Sequence, residues 1–123
     1  MTSPLSILIV EDEPLIAMML EDFVEELGHN IAGTTDSVDG ALARVEAGGF
    51  DVAILDVHLR GGLPSWPVAD MLADKGIAFV LATGGHVDPP PARHADVAQL
   101  SKPFTMDGVR AALALADTTL KQL

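Results

Sequence analysis

The chain has 123 residues, which predicts one compact domain over 1–123 with no attached output domain. Its composition is 49% hydrophobic, enough for a buried core, and it contains no cysteine, which excludes disulfides and thiolate metal sites. Eighteen acidic residues against seven Lys plus Arg give a formal charge of −11, a surface that repels polyanions and argues against DNA or RNA as a partner. No apolar run approaches the roughly 20 residues of a membrane span. The opening Met-Thr-Ser-Pro-Leu-Ser lacks the basic start of a secretory signal, so a cytoplasmic location without membrane association is expected.

In chain order, the first predicted strand is the nearly continuous apolar run 5–10. A helix follows, opened by Pro14 as a pre-organised first residue, with Ile16, Leu20, Phe23 and Leu27 on one stripe and Gly28 as its stop. Residues 31–33 form a weak strand candidate. Ser37 then caps a second helix that places Val38, Ala41, Leu42 and Val45 on one face before Gly48-Gly49. The run 52–55 is the third strand. The third helix starts near Ser65 or Trp66, turns Val68, Met71 and Leu72 inward and ends at Gly76. Residues 77–82 form the fourth strand.

A fourth helix is expected across 88–96, but Pro89, Pro90 and Pro91 permit only a shortened element starting at or after Pro91. Residues 97–100 are a weak fifth strand, and Thr105 caps a last helix carrying Val109, Leu113, Ala116 and Leu120 inward. Strand and helix alternate five times. That rhythm predicts an α/β fold, a doubly wound parallel sheet covered on both faces.

In such sheets ligands bind beyond the carboxyl ends of the strands. After the first strand come Glu11-Asp12-Glu13, after the third Asp56, after the fourth Thr83-Gly84, and after the fifth Ser101-Lys102-Pro103. Carboxylates, a hydroxyl and an ammonium thus arrive at one edge from four segments. Clustered carboxylates repel one another, and a hard divalent cation such as Mg²⁺ relieves that repulsion while leaving coordination sites for phosphate oxygens. Asp56 is then placed to attack a phosphoryl donor, with Lys102 pairing one phosphoryl oxygen and the Thr83 hydroxyl another. Taken singly these residues have ordinary readings. Glu11-Asp12-Glu13 suits a helix N-terminus, Asp56 a loop start, Thr83 a glycine turn and Lys102 the surface.

At these positions the sequence resembles the bacterial response-regulator receiver family. The resemblance runs through Ile7-Leu8-Ile9-Val10-Glu11-Asp12-Glu13, Ile54-Leu55-Asp56-Val57, Leu81-Ala82-Thr83-Gly84 and Ser101-Lys102-Pro103-Phe104, in the family's order and spacing. It implies a flavodoxin-like five-stranded sheet ordered 2-1-3-4-5. It also implies Asp56 as phosphoacceptor, Glu11 and Asp12 as the acidic metal pocket, Thr83 as switch hydroxyl and Lys102 as phosphate-pairing lysine. The backbone carbonyl of His58 is implied as a third metal ligand, and a cis Lys102–Pro103 bond is carried over with the family. Phe79-Val80-Leu81-Ala82-Thr83-Gly84-Gly85 further resembles the Phe-Ala-Thr-Gly signature of single-domain alphaproteobacterial receivers, with Leu81 in place of its Phe.

One departure is marked. The family's usual Tyr or Phe three residues before the lysine is Gln99, and the chain has no Tyr, so the usual aromatic rotation cannot operate. The His58 side chain either faces solvent or tunes water attack and metal recruitment at the acceptor. His29, His86 and His94 have no partners at metal-ligand spacing and read as surface residues, while Trp66 reads as packing at the start of the third helix or as a partner contact.

The leading expectation is a monomer or weak homodimer phosphorylated by a histidine kinase or histidine phosphotransfer protein and read by an unidentified downstream protein. It would catalyse only its own phosphorylation and dephosphorylation. A non-phosphorylated pseudo-receiver and a small aspartyl-nucleophile phosphatase are the alternatives.

Overall fold

The computed structural model describes residues 4–59, 64–83, 90–101 and 104–121. Five strands are present: β1 (Ser6–Val10), β2 (Asn30–Thr35), β3 (Val52–Asp56), β4 (Ala78–Thr83) and β5 (Gln99–Ser101). They form one sheet in the order β2-β1-β3-β4-β5, and each neighbouring pair is parallel. Among the described residues, four α-helices, α1 (Pro14–Glu26), α2 (Val38–Ala47), α3 (Trp66–Asp74) and α4 (Met106–Lys121), complete the doubly wound flavodoxin-like architecture.

The central strands are apolar except at their ends, Ser6 in β1, Asp56 in β3 and Thr83 in β4, because both faces of the sheet are covered. Alternate residues enter different cores. Ile7, Ile9, Ile54 and Val80 pack with Leu20, Val24, Val109 and Leu113 from α1 and α4. Leu8, Val10, Leu55 and Leu81 pack with Ala41, Val45, Val68 and Leu72 from α2 and α3.

Helix ends follow the local chemistry. Ser37 Oγ accepts from the Gly40 N–H at 3.0 Å, and Thr105 Oγ1 from the Gly108 N–H at 3.0 Å, so both expected caps are in place. Helix α1 stops in a six-residue reverse turn. The His29 N–H bonds Val24 O at 3.1 Å across Gly28, whose φ of 90° suits a residue without Cβ.

Two expectations needed adjustment. Strand β2 is longer than the 31–33 predicted, because its polar Asn30, Thr34 and Thr35 lie at a sheet edge where burial is not required. Its pairing slips between Ile7 and Leu8, so that Ile7 faces Ile31 but Leu8 faces Gly33. Arg44 Nη2 donates to the carbonyl of Ala32, the residue skipped, at 2.7 Å. Strand β5 begins at Gln99 rather than Val97, since the Val97 N–H is held by His94 O at 3.2 Å. Among the described residues between β4 and β5, the expected stunted element is present as a 3₁₀ turn, Ala92–His94, entered through Pro91 at φ −52° and ψ 151°.

The acidic edge beyond β1 and β3

Strand β3 is central, and its last residue, Asp56, is 5% exposed. Strand β1 ends one step away at Val10, so Glu11 leaves the sheet beside it. The Glu11 N–H donates to Thr35 O at 3.0 Å, fixing the start of the β1–α1 turn against the end of β2. Glu11 Oε2 accepts from the Glu13 N–H at 3.1 Å, and Glu11 is 2% exposed. Asp12 is half-buried. One carboxylate oxygen from each of Glu11, Asp12 and Asp56 lies within 4.8 Å of the others. Three hard oxygen donors converging in this way form a donor set suited to Mg²⁺.

Thr83 ends β4, one residue beyond Ala82, the register partner of Asp56, and is half-buried. It pairs with Ser101, the last residue of β5. Lys102, Pro103 and Gly84 lie outside the described residues, as does His86. The His58 side chain is exposed, in line with the solvent-facing alternative, and its N–H points to Asp56 Oδ1 at 3.4 Å. Of the expected site residues, the structure therefore gathers Glu11, Asp12 and Asp56 into one cluster and ends β4 beside it with Thr83.

Two residues were missed by sequence reasoning. Ser65, read only as a helix start, is fully buried, and its hydroxyl donates to the Asp56 carbonyl at 2.6 Å. His94, read as a surface residue, is buried instead. It stacks on Trp66 with ring centroids 6.0 Å apart, meets Phe79 edge-on at 5.7 Å and bonds Asp70. Trp66 accordingly packs at the start of α3, one of its two expected roles. His29 is half-buried, and its Nδ1 accepts from the Leu5 N–H at 3.0 Å. No local periodicity marks a contact such as His94–Asp70, which spans 24 residues. The one available signal was the presence of Trp66, Phe79 and His94 in segments that the topology makes neighbours. Beside His94, the exposed Arg93 pairs with Asp74 and Asp70. The hydrogen bond to Asp74 and the two carboxylate charges hold its guanidinium above the ordinary value, against a smaller opposing effect of desolvation.

Comparison with known proteins gives the same direction. The response regulator receiver domain family matches residues 7–114. The solution structure of SdrG from Sphingomonas melonis Fr1 is 61% identical, covers 94% of this chain and 98% of its own, and superposes with a TM-score of 0.84. SdrG from Pseudomonas melonis Fr1 in its BeF3-activated conformation is 63% identical over 92% of this chain and 97% of its own, with a TM-score of 0.77. A 27-residue stretch is 74% identical to the phyllosphere-induced regulator PhyR of Methylorubrum extorquens, covering 22% of this chain and 10% of that curated relative.

Proposed function

Because the chain belongs to the response regulator receiver domain family, we propose that it is a phosphorylation-controlled interaction module with Asp56 as phosphoacceptor. The observation that carries this reading is the convergence of Glu11, Asp12 and Asp56 carboxylate oxygens within 4.8 Å, with Asp56 at the end of the central strand. The similar SdrG chain has a BeF3-activated conformation, and beryllofluoride imitates a phosphoryl group, which supports the same chemistry here.

In this reading Glu11, Asp12, Asp56 and the backbone carbonyl of His58 would hold Mg²⁺. When bound, the ion neutralises charge on the transferring phosphoryl group. An Asp56 carboxylate oxygen bonds to phosphorus as the P–N bond to the donor imidazole breaks. The electron pair leaves with nitrogen, which takes up a proton. The Thr83 hydroxyl donates to one phosphoryl oxygen and the Lys102 ammonium pairs with another. In dephosphorylation a water oxygen bonds to phosphorus as the P–O bond to Asp56 breaks, the water gives up a proton, and inorganic phosphate leaves with the Asp56 carboxylate restored. The donor is a histidine kinase or histidine phosphotransfer protein, and the output is contact with a downstream protein, with no separate substrate turned over.

A constitutive binding module is the second reading, favoured by Gln99, which is exposed on β5 where the family carries its switching aromatic. Intact mass after incubation with acetyl phosphate separates the two. One phosphoryl group that requires Mg²⁺ and Asp56 and is released by hydroxylamine supports the switch. No adduct supports the constitutive module.

A further inference from the structure

We infer that Ser65 is a positioning residue for phosphoryl transfer, holding the backbone on which the Asp56 carboxylate and the His58 carbonyl are carried. The inference rests on Asp56 being the acceptor.

Strand β4 pairs with β3 through Asp56, and the Val57 N–H donates to Ala82 O at 3.1 Å. Strand β1 pairs with β3 only as far as Leu55. The Asp56 carbonyl lies on the opposite edge of the same peptide plane as the Val57 N–H. The Ser65 hydroxyl meets it there at 2.6 Å. The next carbonyl, of Val57, accepts from the Ser65 N–H at 2.8 Å. One residue thus grips two successive peptides, and the second of them supplies the His58 N–H that reaches Asp56 Oδ1. A bridge between His58 and Pro64 continues the grip.

The helix start gives independent support. Ser65 occupies the N-cap of α3, where a serine oxygen ordinarily accepts a helix N–H, yet its side chain makes no cap bond. Pro67 has no N–H to offer, and the Val68 N–H is bonded by the Ser65 carbonyl at 3.0 Å. The hydroxyl is committed to the acceptor's carbonyl instead. Ser65 is fully buried, so water cannot replace the donor without rearrangement. Small displacements of a reacting carboxylate are costly in rate. Its backbone anchor is therefore a functional element as well as a structural one.

The test is the time course of intact mass with acetyl phosphate at varied Mg²⁺, at a temperature where circular dichroism shows each protein folded. Ser65→Ala removes the hydroxyl. Ser65→Cys keeps the site filled, with a somewhat larger atom, but is a weak donor. Ser37→Ala removes a cap on α2 and serves as a control for lost stability alone. The expected result is a maximal labelling rate reduced about tenfold, equivalent to about 1.4 kcal/mol, in both Ser65 variants. Their Mg²⁺ half-saturation rises several-fold, while Ser37→Ala labels as the wild type does. Wild-type rates and Mg²⁺ dependence in Ser65→Cys overturn the inference while leaving Asp56 as acceptor. Absence of labelling in the wild type removes the acceptor reading itself, and this inference with it.

Discussion

His94 Nε2 and Asp70 Oδ1 lie 2.8 Å apart, with the imidazole side chain 1% exposed and the carboxylate 49% exposed. The pair ties the 3₁₀ turn between β4 and β5 to α3. The turn is too short to contribute an apolar stripe, so an enclosed ring anchors it from within, held between Trp66 and Phe79 with its donor satisfied by Asp70, while Arg93 pairs with α3 at the surface.

His94→Ala is expected to lose about 3 kcal/mol of stability, since it empties a site walled by two aromatic rings. Asp70→Asn, which keeps an acceptor, costs less than about 1.5 kcal/mol. Urea unfolding followed by Trp66 fluorescence measures both, and a His94→Ala midpoint equal to wild type would show that the ring is dispensable.

Asp56→Asn is expected to take no phosphoryl group from acetyl phosphate while remaining folded. Intact mass spectrometry reads the outcome, and strong Mg²⁺-dependent labelling of this variant would falsify the assignment of the acceptor.

Divalent-ion removal tests the carboxylate cluster. Chelation with EDTA is expected to abolish labelling, and Asp12→Asn to weaken Mg²⁺ binding by on the order of tenfold or more, because one anion–cation attraction is lost. Titration calorimetry with Mg²⁺ gives the affinity. Unchanged affinity in Asp12→Asn and Glu11→Gln together places the ion elsewhere.

Lys102→Ala is expected to leave Mg²⁺ affinity nearly unchanged but to uncouple phosphorylation from conformational change. The measurement is the beryllofluoride-induced difference in amide chemical shifts, present in wild type and reduced in the variant. An undiminished difference removes the lysine from the switch.

Much of this was legible in the sequence because it depends on short-range pattern. The apolar runs of β1, β3 and β4 announce strands enclosed on both faces, and Pro14, Ser37 and Thr105 announce helix starts through the geometry of their own backbones. Glu11, Asp12 and Asp56 could be grouped because strand ends in a parallel sheet meet at one edge, whatever the side-chain details. The polar edge strand β2 and the three-residue β5 were blurred for a related reason: neither is enclosed enough to need a continuous apolar signature. Ser65 and His94 were illegible because their roles lie in bonds to residues 9 and 24 positions away. A serine before a helix and a histidine after prolines look ordinary until the fold selects their partners.

The slipped pairing of β2 bears on how copies of this chain can meet. A sheet edge invites another strand through its unpaired carbonyls and N–H groups, and irregular spacing or a charged side chain blunts that invitation. Here Ala32 breaks the spacing, and the long cation of Arg44 sits over its carbonyl. Added strands would have to displace a charged side chain to gain an irregular ladder. The β2 edge is therefore a poor template for an added strand, whether from a second copy of this chain or from another protein.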